Sequence, residues 1–288
     1  MPIRSRQVAV LALGVVACLA GCEFISYKPK GTSPLAPLQL TADSAELEIV
    51  FIRSGAGDRE MADLWSTIDE QAIPSSLRTE LAANGLRAGI ISGQTPAPLA
   101  HKMAGAADRA PPAAAAARLE IEPAVHRNHM QIHRGRPGNI IASGVYDSVS
   151  PLTRDQGEVK ADTYHNAQAD FVVSVDPQPD RRVAISLVPE LKYGAARQQY
   201  VVEDGVWRLD TGKPKKTFDK LKLEATLAPD QMLVVTSLPE RPGSLGYYFF
   251  TESKTGHLEQ KLLVIRLTET KSSDLFVHVN EAGADVEH

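Results

Sequence analysis

Three histidines, His126, His129 and His133, stand at the spacing H-x2-H-x3-H. Imidazoles at such intervals are familiar zinc ligands. On a helix the three would share a face and leave a fourth coordination position open. On a strand, His129 and His133 point one way and His126 the other. The run Met130-Gln-Ile-His133 is of strand type, so these candidate metal ligands are expected on a strand beside Arg127, Arg134 and Arg136. Other chemistries find less. The chain has no G-x-S-x-G elbow for an activated serine. Thr251-Glu-Ser-Lys254 and Thr211-Gly-Lys213 put a hydroxyl near a lysine only in expected turns. Gly55-x-Gly57 lacks the third glycine of a dinucleotide loop and opens an ordinary amphipathic helix. The pairs Glu46/Glu48 and Asp69/Glu70 give no isolated acid and base. No catalytic motif is found, no enzyme activity is assigned, and no cofactor is expected.

One basic run remains: Lys213, Lys215, Lys216, Lys220 and Lys222. It offers an interaction surface for an anionic surface or an acidic partner, or a solvated hairpin.

The elements that must position these residues divide into two kinds. Residues 45–53 alternate and then become continuously apolar, as in a strand buried on both faces toward its end. Asp58 can cap a helix whose Met61, Leu64, Trp65 and Ile68 form one stripe. A second helix follows Pro74 and stops at Asn84-Gly85, and residues 86–91 read as a strand. This predicts a small β-α-α-β module over 42–93. A Pro/Ala-rich linker is expected over 94–118, with a short helix within 95–103. From 119 to 270, short runs punctuated by turn residues predict a mainly antiparallel β-domain. Its expected strands include 125–134, 139–146, 158–164 and 245–251. Residues 271–288 are expected to form a fraying tail. The fold class is therefore α+β. With 43% apolar residues, the chain can build substantial cores.

Leu19-Ala-Gly-Cys22, preceded by Arg4, Arg6 and an apolar run too short to span a bilayer, resembles the lipobox of bacterial lipoproteins. The resemblance implies that residues 1–21 are a signal peptide and that Cys22 carries lipid; residues 22–41, Pro-, Lys- and Ser-bearing with no period, read as an extended tether or as a segment packed along the domain. Two or three acyl chains hold durably where one holds marginally. The membrane, reached through lipid on Cys22, is thus an expected partner. The periplasmic face of the outer membrane is preferred to the inner membrane, although Glu23 after the cysteine blurs the choice. With Cys18 removed and Cys22 modified, no thiol is left for a disulfide or a metal. Loss of two arginines leaves 29 basic against 35 acidic residues, a net of −6 with histidines neutral. That charge argues against a nucleic-acid partner.

From about Asp170 onward the chain resembles the β-domain of secretins, the ring-forming outer-membrane pores of bacterial secretion and pilus systems. Phe171-Val-Val-Ser-Val175 and Arg182-Val-Ala-Ile-Ser-Leu-Val-Pro-Glu-Leu191 are similar to that family's paired strands ending in a Pro-Glu turn. Leu227-Ala-Pro-Asp-Gln-Met-Leu-Val-Val235, Leu245-Gly-Tyr-Tyr-Phe-Phe250 and Gln260-Lys-Leu-Leu-Val-Ile-Arg-Leu267 resemble its later elements. Thr236-Ser237 stand where secretins have a glycine pair, and the loop over 238–244 lacks the repeated Pro-Leu-Gly segment. These departures count against a working gate. The resemblance implies a structural or assembly role, as a subunit or accessory of a secretion system, with other copies or secretion-system proteins as partners. A second reading is a periplasmic ligand-binding or metal-dependent module with its site near His126, His129 and His133.

Overall fold

A computed structural model of the chain describes residues 43–109, 124–155, 157–203, 206–254 and 257–272. The chain divides into two units, Met1–Gln39 and Leu40–His288. The expected signal peptide, Cys22, the tether, residues 110–118 of the linker and the tail from 273 lie outside the described residues. Among those described, no helix is long and apolar enough to cross a membrane.

The first helices follow the sequence closely. Strand β1 (Ser44–Gly55) leads to α1 (Arg59–Trp65), whose N-cap Asp58 accepts a hydrogen bond from the Glu60 amide. Helix α2 (Ser75–Ala83) ends at Asn84, and Gly85 takes φ +74°, the left-handed conformation that glycine adopts without strain. Strand β2 (Leu86–Ile91) follows, then α3 (Ala97–Arg109), which occupies part of the expected linker.

The remaining elements are almost all strands: β3 (Val125–His133), β4 (Gly138–Val149), β5 (Leu152–Asp155), β6 (Glu158–Ala161), β7 (Tyr164–Pro177), β8 (Val183–Lys192), β9 (Arg197–Glu203) and β10 (Val206–Gly212). After these come β11 (Lys215–Thr217), a 3-10 turn at Asp219–Leu221, β12 (Leu223–Leu227), β13 (Met232–Ser237), α4 (Leu245–Phe250), β14 (Thr251–Lys254) and β15 (His257–Lys271). The protein is β-rich and its ladders are antiparallel.

Two sheets carry the architecture. The first has the order β2-β13-β15-β1-β3, with β14 also on β15; the second has β11-β8-β7-β4, with β12 also on β8. The strands expected to form a separate module over 42–93 are therefore hydrogen-bonded into the same sheet as β13 and β15. Pairing of β1 with β15 joins residues more than two hundred positions apart, which local periodicity cannot foresee. The β3–β4 turn, with Gly135 at φ +75°, carries the chain from the first sheet to the second.

Side-chain alternation sets the layers. Leu47 and Ile49 of β1, Phe171 of β7, Ile185 and Leu187 of β8 and Ile265 of β15 belong to one buried cluster between the sheets. Val50 and Ile52 point the other way and pack with Leu64 of α1, Leu99 of α3, Val234 and Val264. The expected strand at 245–251 is instead α4 up to Phe250. Ser244 caps it by accepting from the Tyr247 amide, and its Gly246 amide donates to Asn84 O at 2.9 Å. A Cβ on Gly246 would lie 2.0 Å from Gly85 O, so only glycine allows this approach. Phe249 and Phe250 then pack beside Phe171, at centroid distances of 5.0 and 5.8 Å.

Asp58 also ties α1 to α3, through Lys102 Nζ at 2.6 Å. Burial pushes its carboxyl pKa up, but the Lys102 hydrogen bond and charge, with backbone amides, hold it below the ordinary value. A carboxyl whose folded pKa is lowered stabilises above its unfolded value, about 3.9, and loses that contribution as pH falls through the folded value. Asp58→Ala is predicted to cost about 1 kcal/mol at pH 7, measured by urea unfolding. Its difference from the wild type should shrink as the pH falls below about 4.

Candidate functional site

The inward-facing positions of β1 are apolar through Phe51 and then become Arg53. On the neighbouring strand the same line runs from Leu263 to Lys261, and Arg53 stands in register with Lys261. Two cations side by side on one face repel. Glu252 of β14 lies between them: Lys261 Nζ is 2.6 Å from Glu252 Oε1, and Arg53 Nη1 is 3.3 Å from Oε2. Arg53 also approaches Glu259 Oε2 at 3.9 Å.

Lys261 reaches further. Its ammonium donates to the carbonyl of Ala142 on β4, joining the two sheets. That carbonyl is presented by a bulge: Ile141 pairs with Asp170 and Val145 with Gln168, so Ala142, Ser143 and Gly144 stand opposite Ala169 alone. Such bulges bend a strand and re-aim its groups. Several of its polar atoms are bonded within the bulge or to β7. Ser143 Oγ accepts from the Ala169 amide at 2.9 Å and donates to Gly144 O at 2.8 Å, while Gln168 Nε2 donates to Ser143 O.

The charged group and the bulge border an open cleft of about 560 Å³, lined by Phe51, Arg53, His126, Ile141–Tyr146, Tyr247, Tyr248, Thr251–Ser253 and Lys261. The Tyr146 hydroxyl donates to Tyr248 O at 2.9 Å. Burial, followed by the charge of Glu252, pushes its pKa well above the ordinary tyrosine value, so it stays protonated. Rings of Tyr146 and Tyr248 meet edge to face at 5.9 Å, and those of Tyr247 and Tyr248 at 5.6 Å. Ile141 and Val145 leave 58% and 56% of their surface exposed, which gives the rim an apolar margin. Lys261 and Glu252 are thus bonded to each other, and Tyr146 to backbone.

The three histidines lie on β3 as their strand spacing requires. His126 lines the cleft; His129 lies on the opposite face, with Nδ1 3.4 Å from Glu46 Oε1. Nearby, buried Glu48 is held between Arg127 at 3.1 Å and Arg266 at 2.6 Å. Among the described residues, no group of three or more His, Cys, Asp or Glu side chains is arranged to hold a metal ion.

The basic run is divided among separate contacts. Lys213 Nζ donates to Asn166, Lys215 approaches buried Glu190 at 3.5 Å, Lys220 pairs with Asp155 at 2.6 Å and Lys222 with Glu224 at 2.5 Å. Lys216 and Lys220 line a second cleft of about 320 Å³ with Arg154, Lys160, Asp155, Asp162 and Asp219. Cations and anions alternate there, so the five lysines do not form one basic face.

Sequence reading missed Arg53, Tyr146, Glu252 and Lys261. One signal was present: Lys261 falls in phase with Leu263, Ile265 and Leu267, so an inward strand position carries a charge.

Removing one member of a buried ion pair strands its partner at a cost of about 3–5 kcal/mol. Lys261→Met is predicted to destabilise by about 3 kcal/mol. The double variant Lys261→Met/Glu252→Gln should be markedly less destabilised than the sum of the singles, as read by urea unfolding in a double-mutant cycle.

No family model matches the chain, and no curated protein matches it. Among solved structures it is similar to the InvG secretin-domain β-barrel from the Salmonella SPI-1 injectisome NC-base. The identity is 11% and the TM-score 0.23, over 82% of this chain and 65% of that chain. A superposition this loose fixes neither the fold nor a role.

Proposed function

We propose that this chain is a lipid-anchored envelope protein with a structural, assembly or interaction role, as a secretin-like subunit or accessory of a secretion system. The observation that carries this reading is an open flank. Among the described residues, strand β3 ends the first sheet and β4 ends the second, and one turn joins them. A free edge is a row of unpaired backbone donors and acceptors, which is a template for another strand. The opposite edge of the first sheet is different. There β2 is capped by Asp69, whose backbone exchanges two 2.9 Å hydrogen bonds with Ile90. On the open side, Ile141 and Val145 of β4 stay exposed. The neighbouring antiparallel strands β7 and β8 occupy the segments that resemble the paired secretin strands. Lipid on Cys22 would keep the domain at the membrane surface.

A second reading, a periplasmic ligand-binding module, is favoured by the cleft that His126 lines. It needs no metal.

The full chain extracted in detergent is predicted to give a multimer by native mass spectrometry, and Cys22→Ser should move it from the membrane pellet to the soluble fraction. A strict monomer would overturn assembly. Unchanged retention of Cys22→Ser in the pellet would overturn the lipid anchor.

A further inference from the structure

We infer that residues 66–74 are an edge guard, a strap of the chain that closes the outer side of β2 to any other strand and so excludes that edge from assembly. The segment joins α1 to α2 and passes from one face of the first sheet to the other around β2. Ile68 is buried in the cluster beneath α1 and α3, and Ile73 in the cluster between the sheets. Between them Asp69 lies on the edge itself, where its amide donates to Ile90 O and its carbonyl accepts from the Ile90 amide, each at 2.9 Å.

Three features fit a guard better than a passing connection. The first is glycine at the crossing point: a Cβ on Gly89 would lie 2.5 Å from Ile68 Cγ2 and 3.1 Å from the Asp69 carbonyl oxygen, so the strap is seated where a side chain is missing. The second is Arg87 of β2, whose guanidinium pairs with Glu70 of the strap and lies 4.3 Å from the centre of the Trp65 ring at the end of α1. The third is that the strap does not become a new edge strand. The Asp69 carboxylate accepts from the Gln71 amide at 2.8 Å, which turns the chain away after one bridged residue. A short, acidic, turned-away cover is a device by which sheets avoid pairing with other chains. Strand β2 has need of one, since Leu86-Arg-Ala-Gly-Ile-Ile91 is apolar apart from Arg87, and such a strand left open is a template for pairing. The inference goes beyond the assembly reading: it names an edge that assembly does not use.

Sedimentation velocity and hydrogen exchange on the detergent-solubilised full chain test it with Gly89→Val, whose branched side chain meets Ile68 and the Asp69 carbonyl. Ile68→Ala, which removes the anchor from the strap and leaves the sheet unchanged, serves if Gly89→Val does not fold. At low concentration the Ile90 amide should exchange about tenfold faster or more than in wild type. As concentration rises the variant should self-associate about tenfold more tightly or more than wild type, and the Ile90 amide should regain protection. An exposed Ile90 amide with the association of wild type would overturn the guard, and so would association that leaves Ile90 unprotected. Ile90 protection unchanged in both variants would overturn the strap as the cover of this edge. A strictly monomeric wild type overturns assembly alone, since every outcome here is read against it.

Discussion

Glu252 between Arg53 and Lys261 is the constraint on which the cleft end of this molecule depends. Strand register sets two cations opposite each other on the inward face of the first sheet. The arrangement is tolerable only because a carboxylate from the adjacent hairpin lies between them. Lys261 then spends another donor on the carbonyl of Ala142, so neutralising the pair also fastens the second sheet to the first. Apolar packing alone would hold the sheets together without specifying how they end. A buried ammonium that must find both a carboxylate and a carbonyl does specify it.

The bulge in β4 belongs to the same device. A regular strand would pair one residue opposite Ala169; this one places three there and turns the Ala142 carbonyl toward Lys261. The flanking Ile141 and Val145 are left in solvent, so one irregularity creates both a wall of the cleft and an apolar margin on the open flank. Tyr146 locks the far side by bonding to the carbonyl of Tyr248, where α4 gives way to β14. Three elements distant in sequence are thereby held around one space.

Much of the local structure was legible in the chain. Asp58 as a cap, Asn84-Gly85 as a stop and the strand character of 125–134 each follow from nearby residues, and the structure places α1, α2 and β3 accordingly. What could not be read required long-range pairing. Separation of 42–93 as a module failed because β1 finds β15 and β3, and β2 finds β13, across the whole chain. Leu245-Gly-Tyr-Tyr-Phe-Phe250 has strand-like residues, yet it is helical because Gly246 seats against the Gly85 carbonyl and Ser244 caps the turn. The cleft was invisible for the same reason. His126 was singled out as part of a triad, but it lies with Arg53, Glu252 and Lys261, while His129 faces the other way beside Glu46. Four lysines of the basic run, Lys213, Lys215, Lys220 and Lys222, each meet a partner on a different strand or turn.

Native-state hydrogen exchange on Lys261→Met tests the central claim most directly, because it reads each element separately. If the Lys261 bond to Ala142 fastens the sheets, the amides of the β4 bulge and of β14 should lose protection in the variant, while those of β1 against β3 and of helix α1 keep theirs relative to global stability. Protection that falls uniformly through the domain, or that is unchanged in the bulge, would contradict the account.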